Sequence, residues 1–371
     1  MEIAVIGGGA SALMLSNVCQ ENVTIFCDKE KLGKKILLTG NGKCNLTNNS
    51  YTKDCYNQDI QKYLDKFDYD DTLKFFYHLG LLTYSDENGR VYPVSNTATS
   101  VVDVLTYNLI GRDIDVKLNY HVQKIEKRGD KFIIDDVFYF DKVAICAGSS
   151  NELLDAMNIE YKPFVPSLVA LKTTQDTKRL SGIRLSDVVV SINNKYELGE
   201  VLFKDNGLSG ICIFNLSSYL ARRNNFKQSL CIDLLPYFEV KDLEDVFFGR
   251  LNRNYPSMIL FLQGIFHKEI NKYLLKESKI NEEEKPNKNN IKKLIKNIKS
   301  LKFDIISTYD NNQVKSGGIR LDDLDENLQH KKIKGLYFAG EICDVDGICG
   351  GYNLQWAWTS GKIVGENICL K

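Results

Sequence analysis

The sequence predicts an α/β fold of the Rossmann type, and three observations carry that expectation. Residues 2–6 (EIAVI) are a short β-branched run followed by GGGASA and the apolar stretch LMLSNV, which reads as strand, tight turn, helix. A second apolar run, VTIFC at 23–27, closes a βαβ unit of the expected length. Far downstream, residues 335–340 (GLYFAG) return to a strand that feeds a glycine loop and a helix. With 371 residues, 43% of them hydrophobic and 26% charged, the chain has room for two or three domains and reads as globular.

The remaining elements follow in order. Residues 29–50 are rich in Gly, Lys and Asn without a sustained period, which predicts a long functional loop. Helical spacing appears at 60–80, through Tyr63, Phe67, Leu73, Phe76 and Tyr77, and again at 97–110. From 113 to 140, DIDVKL, YHVQKIEK, KFIID and VFYF are separated by turn residues and predict an antiparallel meander. KVAICAG at 142–148 is a buried strand ending in Gly, and Pro163 and Pro166 then punctuate the chain. The stretch 167–313 opens with strand-like SLVALKT, LSDVVVSI and EVLFK and later turns helical and Lys/Asn-rich. There Ile291, Leu294, Ile295, Ile298 and Leu301 keep helical spacing with lysines opposite, the pattern of a solvated helix over a core.

Composition narrows the function classes. Lys+Arg and Asp+Glu are both 48, so the net charge is zero and the basic footprint of a nucleic-acid protein is absent. No apolar run approaches the ~20 residues that cross a bilayer, and the N-terminus lacks the basic start of a signal peptide. A cytoplasmic protein with a small-molecule substrate, and neither nucleic acid nor membrane as partner, is expected; the oligomeric state is left open. Ten cysteines without any CxxC and only four histidines argue against a metal site and for buried free thiols. Cys343 and Cys349 share a glycine-bearing loop, which makes them the candidate redox pair.

The turn Gly7-Gly8-Gly9-Ala10-Ser11-Ala12 matches GxGxxA between a strand and a helix. Gly7 permits the turn, Gly9 lets the backbone approach a pyrophosphate, and Ala12 is small enough for helix–strand packing. The helix start presents free N–H groups and a partial positive charge to phosphates. Asp28 ends the second strand about 20 residues on, where a carboxylate accepts ribose hydroxyls. GLYFAGE at 335–341, followed by DVDGICGGYNLQWAWTSGKIVG, suits a cofactor longer than one mononucleotide half, hence FAD: Glu341 would hold a ribityl hydroxyl, and the helix starting near Gly351 would aim its N–H groups at the flavin.

The segments GGGASAL, GKKILLTGNGKCNLTN (33–48), GRVYPVSNTATSVVDVL (89–105), LFKDNGLSG (202–210) and GLYFAGEICDVDGICGGYNLQWAW (335–358) together resemble one group. These are the bacterial FAD-dependent oxidoreductases of the bile-acid-inducible N and aminoacetone oxidase type, the HI0933-like flavoproteins. The resemblance implies a two-dinucleotide-binding FAD domain built from 1–171 and 314–371. It also implies an inserted, substrate-side domain at 172–313, β-barrel-like and carrying helices at about 240–302. It places Gly7, Gly9, Ala10, Ser11, Ala12, Asp28 and the Val122 backbone at the ADP half. Lys35, Thr39, Gly40, Asn41, Gly42, Lys43, Cys44 and Asn45 fall in the loop crossing the cofactor, and Ala147 and Gly148 join the cofactor set. Gly340, Glu341, Gly351, Tyr352, Asn353 and Leu354 fall at the ribityl and flavin. The family usually has Glu at Asp28 and Arg at Lys43, and it reads Phe-Thr-His and Ser-Gly-Pro where this chain has Phe203-Lys204-Asp205 and Ser209-Gly210-Ile211.

A flavin performs hydride chemistry itself, so the protein supplies binding, orientation and a proton path. Tyr92, Tyr352 and His78 are the candidate proton donors, and Arg90 the candidate partner of an acidic substrate. Three functions fit: an NAD(P)H-linked reductase of an electron-poor double bond, an aminoacetone-like amine oxidase using oxygen, and a non-enzymatic flavin-binding redox sensor. With one dinucleotide turn in the sequence, NAD(P)H would visit the flavin transiently.

Overall fold

The computed structural model describes residues 1–310 and 314–370, so the expected boundary at 313 lies outside the described residues. The chain forms two compact units, Met1–Pro166 with Gln313–Lys371, and Ser167–Asn312.

The first unit is built on a five-stranded parallel sheet. Its strands are β1 (Glu2–Ile6), β2 (Asn22–Phe26), β3 (Ile114–Lys117), β4 (Lys142–Ile145) and β5 (Leu336–Phe338), in the order β5-β4-β1-β2-β3. The central runs Ile3–Ile6 and Val143–Ile145 are almost wholly buried, as a parallel sheet covered on both faces requires. Helix α1 (Ala10–Val18) leaves β1, and the C-terminal helix α2 (Tyr352–Asn367) packs along it. That packing is backbone-close: a Cβ at Gly361 would lie 2.5 Å from the Ser11 carbonyl oxygen, and one at Gly365 2.9 Å from that of Leu15.

One expectation needs correction here. The segment at 114–117 is not part of an antiparallel meander; it joins β2 in parallel, because helix Ala98–Tyr107 supplies the crossover that parallel pairing needs. The meander is confined to Ile125–Arg128, Lys131–Ile134 and Phe138–Phe140. The helical spacing at 60–80 belongs to two helices, Gln61–Leu64 and Tyr69–His78, and the Asp68 carboxylate caps the second by accepting from the Asp71 N–H at 3.0 Å.

The second unit is a closed six-stranded barrel with helices. The strands run Leu171–Thr173, Gly207–Ser209, Lys195–Lys204, Arg184–Ile192, Ser229–Asp233 and Leu301–Thr308 around the ring, each antiparallel to its neighbours. Helix Lys288–Lys299 starts at Asn287, whose side chain accepts from the Asn290 N–H, and it buries Ile291, Leu294, Ile295 and Ile298. Leu301 keeps the helical period in the sequence yet stands in the next strand: Ser300 ends the helix and Leu301 enters the barrel core instead.

Candidate functional site

The glycine turn lies at the carboxyl end of β1, where ligands of open α/β sheets bind. A Cβ at Gly7 would strike the Cys146 carbonyl, whereas at Gly9 it would meet no atom within 4 Å. Gly9 therefore faces open space at the first turn of α1, beside N–H groups with no intrahelical partner. Ser11 points the other way, its hydroxyl donating to the Ala339 carbonyl at 3.1 Å. This bond ties the glycine turn to the end of β5.

Asp28 and Val122 share one edge. The Tyr120 and Asn119 N–H groups donate to the carbonyls of Cys27 (2.9 Å) and Lys29 (3.0 Å), which draws 119–122 against the end of β2. Asp28 is half-exposed and pairs with Lys29 at 2.6 Å, an exposed contact of little energetic weight. Val122 is buried, and among the described residues its N–H and carbonyl take no protein partner, so an edge remains for a ligand.

The loop 39–46 folds tightly through left-handed backbone at Gly40 (φ 55°), Asn41 (φ 55°), Gly42 (φ 82°) and Cys44 (φ 59°). The Thr39 carbonyl accepts the Cys44 N–H at 3.0 Å, and Gly40 that of Lys43 at 3.2 Å. Cys44 is fully buried, and burial pushes its thiol up to about 12, so it packs rather than reacts. Asn45 is the unusual member. Its Oδ1 is buried and has no hydrogen-bond partner in the structure, and the position of a Gly351 Cβ lies 2.9 Å from it. An orphaned acceptor of this kind costs free energy unless a donor arrives.

Opposite this loop, Glu341 follows β5 and accepts from the Lys315 N–H at 2.8 Å while forming an ion pair with Lys35. A Cβ at Gly148 would lie 3.7 Å from its Oε2, so Gly148, next to Ala147 at the end of β4, belongs to the same corner. Gly340 leaves no room for a side chain: a Cβ there would sit 2.5 Å from the Ser11 hydroxyl.

Helix α2 begins at Gly351, whose φ of 100° and 2.6 Å approach of a would-be Cβ to the Thr47 carbonyl both demand glycine. The side chain of Asn353 closes on the Gly347 backbone, accepting its N–H at 3.0 Å and donating to its carbonyl at 2.9 Å. Leu354 is half-buried on the next turn position.

The four candidates for the chemistry part company. The Tyr352 hydroxyl donates to the Ser50 carbonyl at 2.6 Å, edge-on to Tyr56, and burial pushes its pKa up. Arg90 binds Asp86 through Nε at 2.9 Å. His78 lies exposed at the end of its helix, its Nδ1 2.6 Å from the Lys74 carbonyl. Tyr92 is half-buried, with its ring 3.5 Å from the position of a Gly40 Cβ, and burial raises its pKa. It is the one of the four that abuts the 39–46 loop.

Other residues of the same convergence carry no separate sequence signal, although the GGYNLQWAW motif contains several. Gln355 accepts from Thr47 Oγ1 (2.5 Å) and Thr72 Oγ1 (3.0 Å) and donates to the Asp68 carbonyl (3.1 Å). The indoles of Trp356 and Trp358 donate to the carbonyls of Gly340 and Leu46, each at 3.0 Å. Asn48 Nδ2 donates to the Gly350 carbonyl at 2.9 Å, and Asn48 faces Arg90 in the small sheet of 47–48, 90–93 and 83–85. Apart from the Trp356 bond, these bonds join segments about 300 positions apart, which no local pattern reveals.

The open cradle at Gly9 and the orphaned Asn45 acceptor fit FAD, and the whole arrangement defines a Rossmann-type flavoprotein. The chain belongs to the HI0933-like family, whose Rossmann-domain profile matches residues 1–367. It is 33% identical over 98% of its length, and 98% of the relative's, to the 3-dehydro-bile acid delta(4,6)-reductase of Clostridium scindens. It is 26% identical to the ribosomal RNA dihydrouridine synthase of Haemophilus influenzae (97% and 96% covered) and 24% identical to that of Escherichia coli (98% and 97%). The protein is an FAD-dependent oxidoreductase. Among the described residues no group of three or more His, Cys, Asp or Glu could hold a metal, and no helix is long and apolar enough to cross a membrane.

Proposed function

We propose that this chain reduces a carbon–carbon double bond conjugated to a carbonyl, in a 3-oxo steroid acid, with electrons from NAD(P)H. The observation that carries this reading is the full-length, 33% identity to a bile acid delta(4,6)-reductase. Bound FAD supplies hydride transfer. Gly9 and the start of α1 hold the pyrophosphate, Asp28 the ribose, and the Val122 backbone the adenine. Glu341, paired with Lys35, would hold the ribityl chain, and the unpartnered Asn45 Oδ1 would offer an acceptor to the flavin. Tyr92 delivers the proton: burial raises its pKa, so its hydroxyl stays protonated and able to act as an acid. The barrel unit is the substrate side, and its departures from the family bear on specificity: Lys204 lies over the Tyr309 ring (4.9 Å) and Ile211 is exposed, whereas Phe203 is core.

A second reading has a specific observation behind it, since two relatives are ribosomal RNA dihydrouridine synthases. The zero net charge weighs against RNA as substrate.

Anaerobic stopped-flow mixing separates the readings. NADH or NADPH is expected to bleach the flavin, and a 3-oxo-4,6-diene bile acid to restore its colour, while ribosomal RNA does not. Reoxidation by RNA alone would establish the second reading, and bleaching only by small amines would make the protein an oxidase. Tyr92→Phe is expected to slow the restoration step about 10²–10⁴-fold, with FAD content and bleaching unchanged. An unaltered restoration rate would remove Tyr92 from the proton path.

A further inference from the structure

Helices α1 and α2 end side by side. Cys19 caps α1, Cys369 follows the last turn of α2, and their sulfurs lie 2.8 Å apart. That is closer than two unbonded sulfurs normally rest and longer than the ~2.05 Å of a disulfide. Cys19 is 1% exposed, whereas Cys369 is half-buried and reachable. The contact between the two sulfurs holds the Cys369 thiol below its ordinary value and pushes that of Cys19 up. Nearby, the Lys142 amine donates to the Ile368 carbonyl at 2.8 Å and Arg112 to that of Asn17 at 2.8 Å, while the Glu21 carboxylate, paired with the N-terminal amine at 2.7 Å, faces both thiols and raises them. Cys343, singled out from the sequence, is instead fully buried, and burial pushes its thiol up.

We propose that Cys19 and Cys369 form a redox dithiol, which hydroperoxides oxidise to a disulfide stapling the C-terminal helix to the helix of the glycine turn. The Cys369 thiolate attacks a peroxide oxygen, the O–O bond breaks, and Cys369 becomes a sulfenic acid as the departing hydroxide takes a proton to form water. Cys19 then attacks the Cys369 sulfur; the S–S bond forms, the S–O bond breaks, and a second water leaves. Two thiols lose two hydrogen atoms, and one hydrogen peroxide becomes two waters. This site is independent of the reaction proposed above, because its readout is a covalent bond and not turnover.

The test uses the full-length, FAD-loaded protein titrated with hydrogen peroxide and followed by intact mass and peptide mapping. The expected product is lighter by two hydrogen atoms, yields a cross-linked peptide joining 19 to 369, melts higher than the reduced protein, and reverts with a thiol reductant. Cys19→Ser should stop at the first step, leaving a Cys369 sulfenic acid that dimedone traps. A cross-link between other cysteines, added oxygen on the parent without a cross-link, or no mass change in excess peroxide would overturn the proposal. The parent's peptide map decides the matter even where the variant fails to fold.

Discussion

Gly9→Val should lose FAD and keep its fold. The backbone at Gly9 is extended (φ −87°, ψ −164°), a conformation valine adopts freely, and no protein atom stands within 4 Å of the added Cβ. The added Cβ would therefore enter the space in front of α1 without meeting any protein atom beyond the adjoining residues. A pyrophosphate held there by two charge-assisted hydrogen bonds, each contributing ~1.5–3 kcal/mol, would lose about 3–6 kcal/mol, or roughly 10²–10⁴-fold in Kd. Replacing glycine at a helix N-cap costs the fold only about 1 kcal/mol, roughly 2–4 °C in melting temperature. Fluorescence titration of the apoprotein with FAD, beside thermal melts of both apoproteins, separates binding from folding. Parent-like affinity would show that this turn is not the pyrophosphate cradle. A large fall in the apo melting temperature would make Gly9 structural instead.

What the sequence made legible was local, and what it hid was not. The unit β1–α1–β2 announced itself because each part has its own periodicity and the glycines lie at fixed spacing between them. The 39–46 loop was equally plain, since Gly40, Asn41 and Gly42 are residue types that accept the left-handed backbone found there. The segment at 114–117 looked like any half-exposed strand, and its partner is chosen by a crossover helix rather than by its own side chains. Leu301 shows the limit of periodicity in the other direction, because an apolar residue one turn past a helix end serves a strand equally well. At the site, the family resemblance placed Tyr352 and Asn353 at the ribityl and flavin, and in the structure the Tyr352 hydroxyl donates to the Ser50 carbonyl while the Asn353 amide closes on the Gly347 backbone. The orphaned atom belongs to Asn45, and only the three-dimensional arrangement identifies which of the loop's polar groups lacks a partner.

Gly361→Val should unfold the FAD unit far more readily than Gly9→Val. In the sequence this glycine is an unremarked position in a helix, and helix propensity alone would favour replacing it. The structure reverses that expectation: its Cβ would lie 2.5 Å from the Ser11 carbonyl oxygen and 3.0 Å from the Met14 Cβ, both on α1. These neighbours are backbone and a side-chain root, so neither can swing away, and the two helices must separate. Overpacking of this kind costs about 3 kcal/mol, roughly 6–12 °C in a unit of this size. Because Ser11 sits one residue after the start of α1, the separation also displaces the glycine turn, so FAD retention should fall with stability. Gly249→Ala is the matched control. It lies in a helix of the barrel unit with nothing within 4 Å of its added Cβ, and it should gain about 0.4–1 kcal/mol. Thermal melts of both apoproteins read the difference. If Gly361→Val melts with the parent, α2 does not rest on α1 at backbone distance, and the route by which the two ends of the chain share one FAD site fails with it.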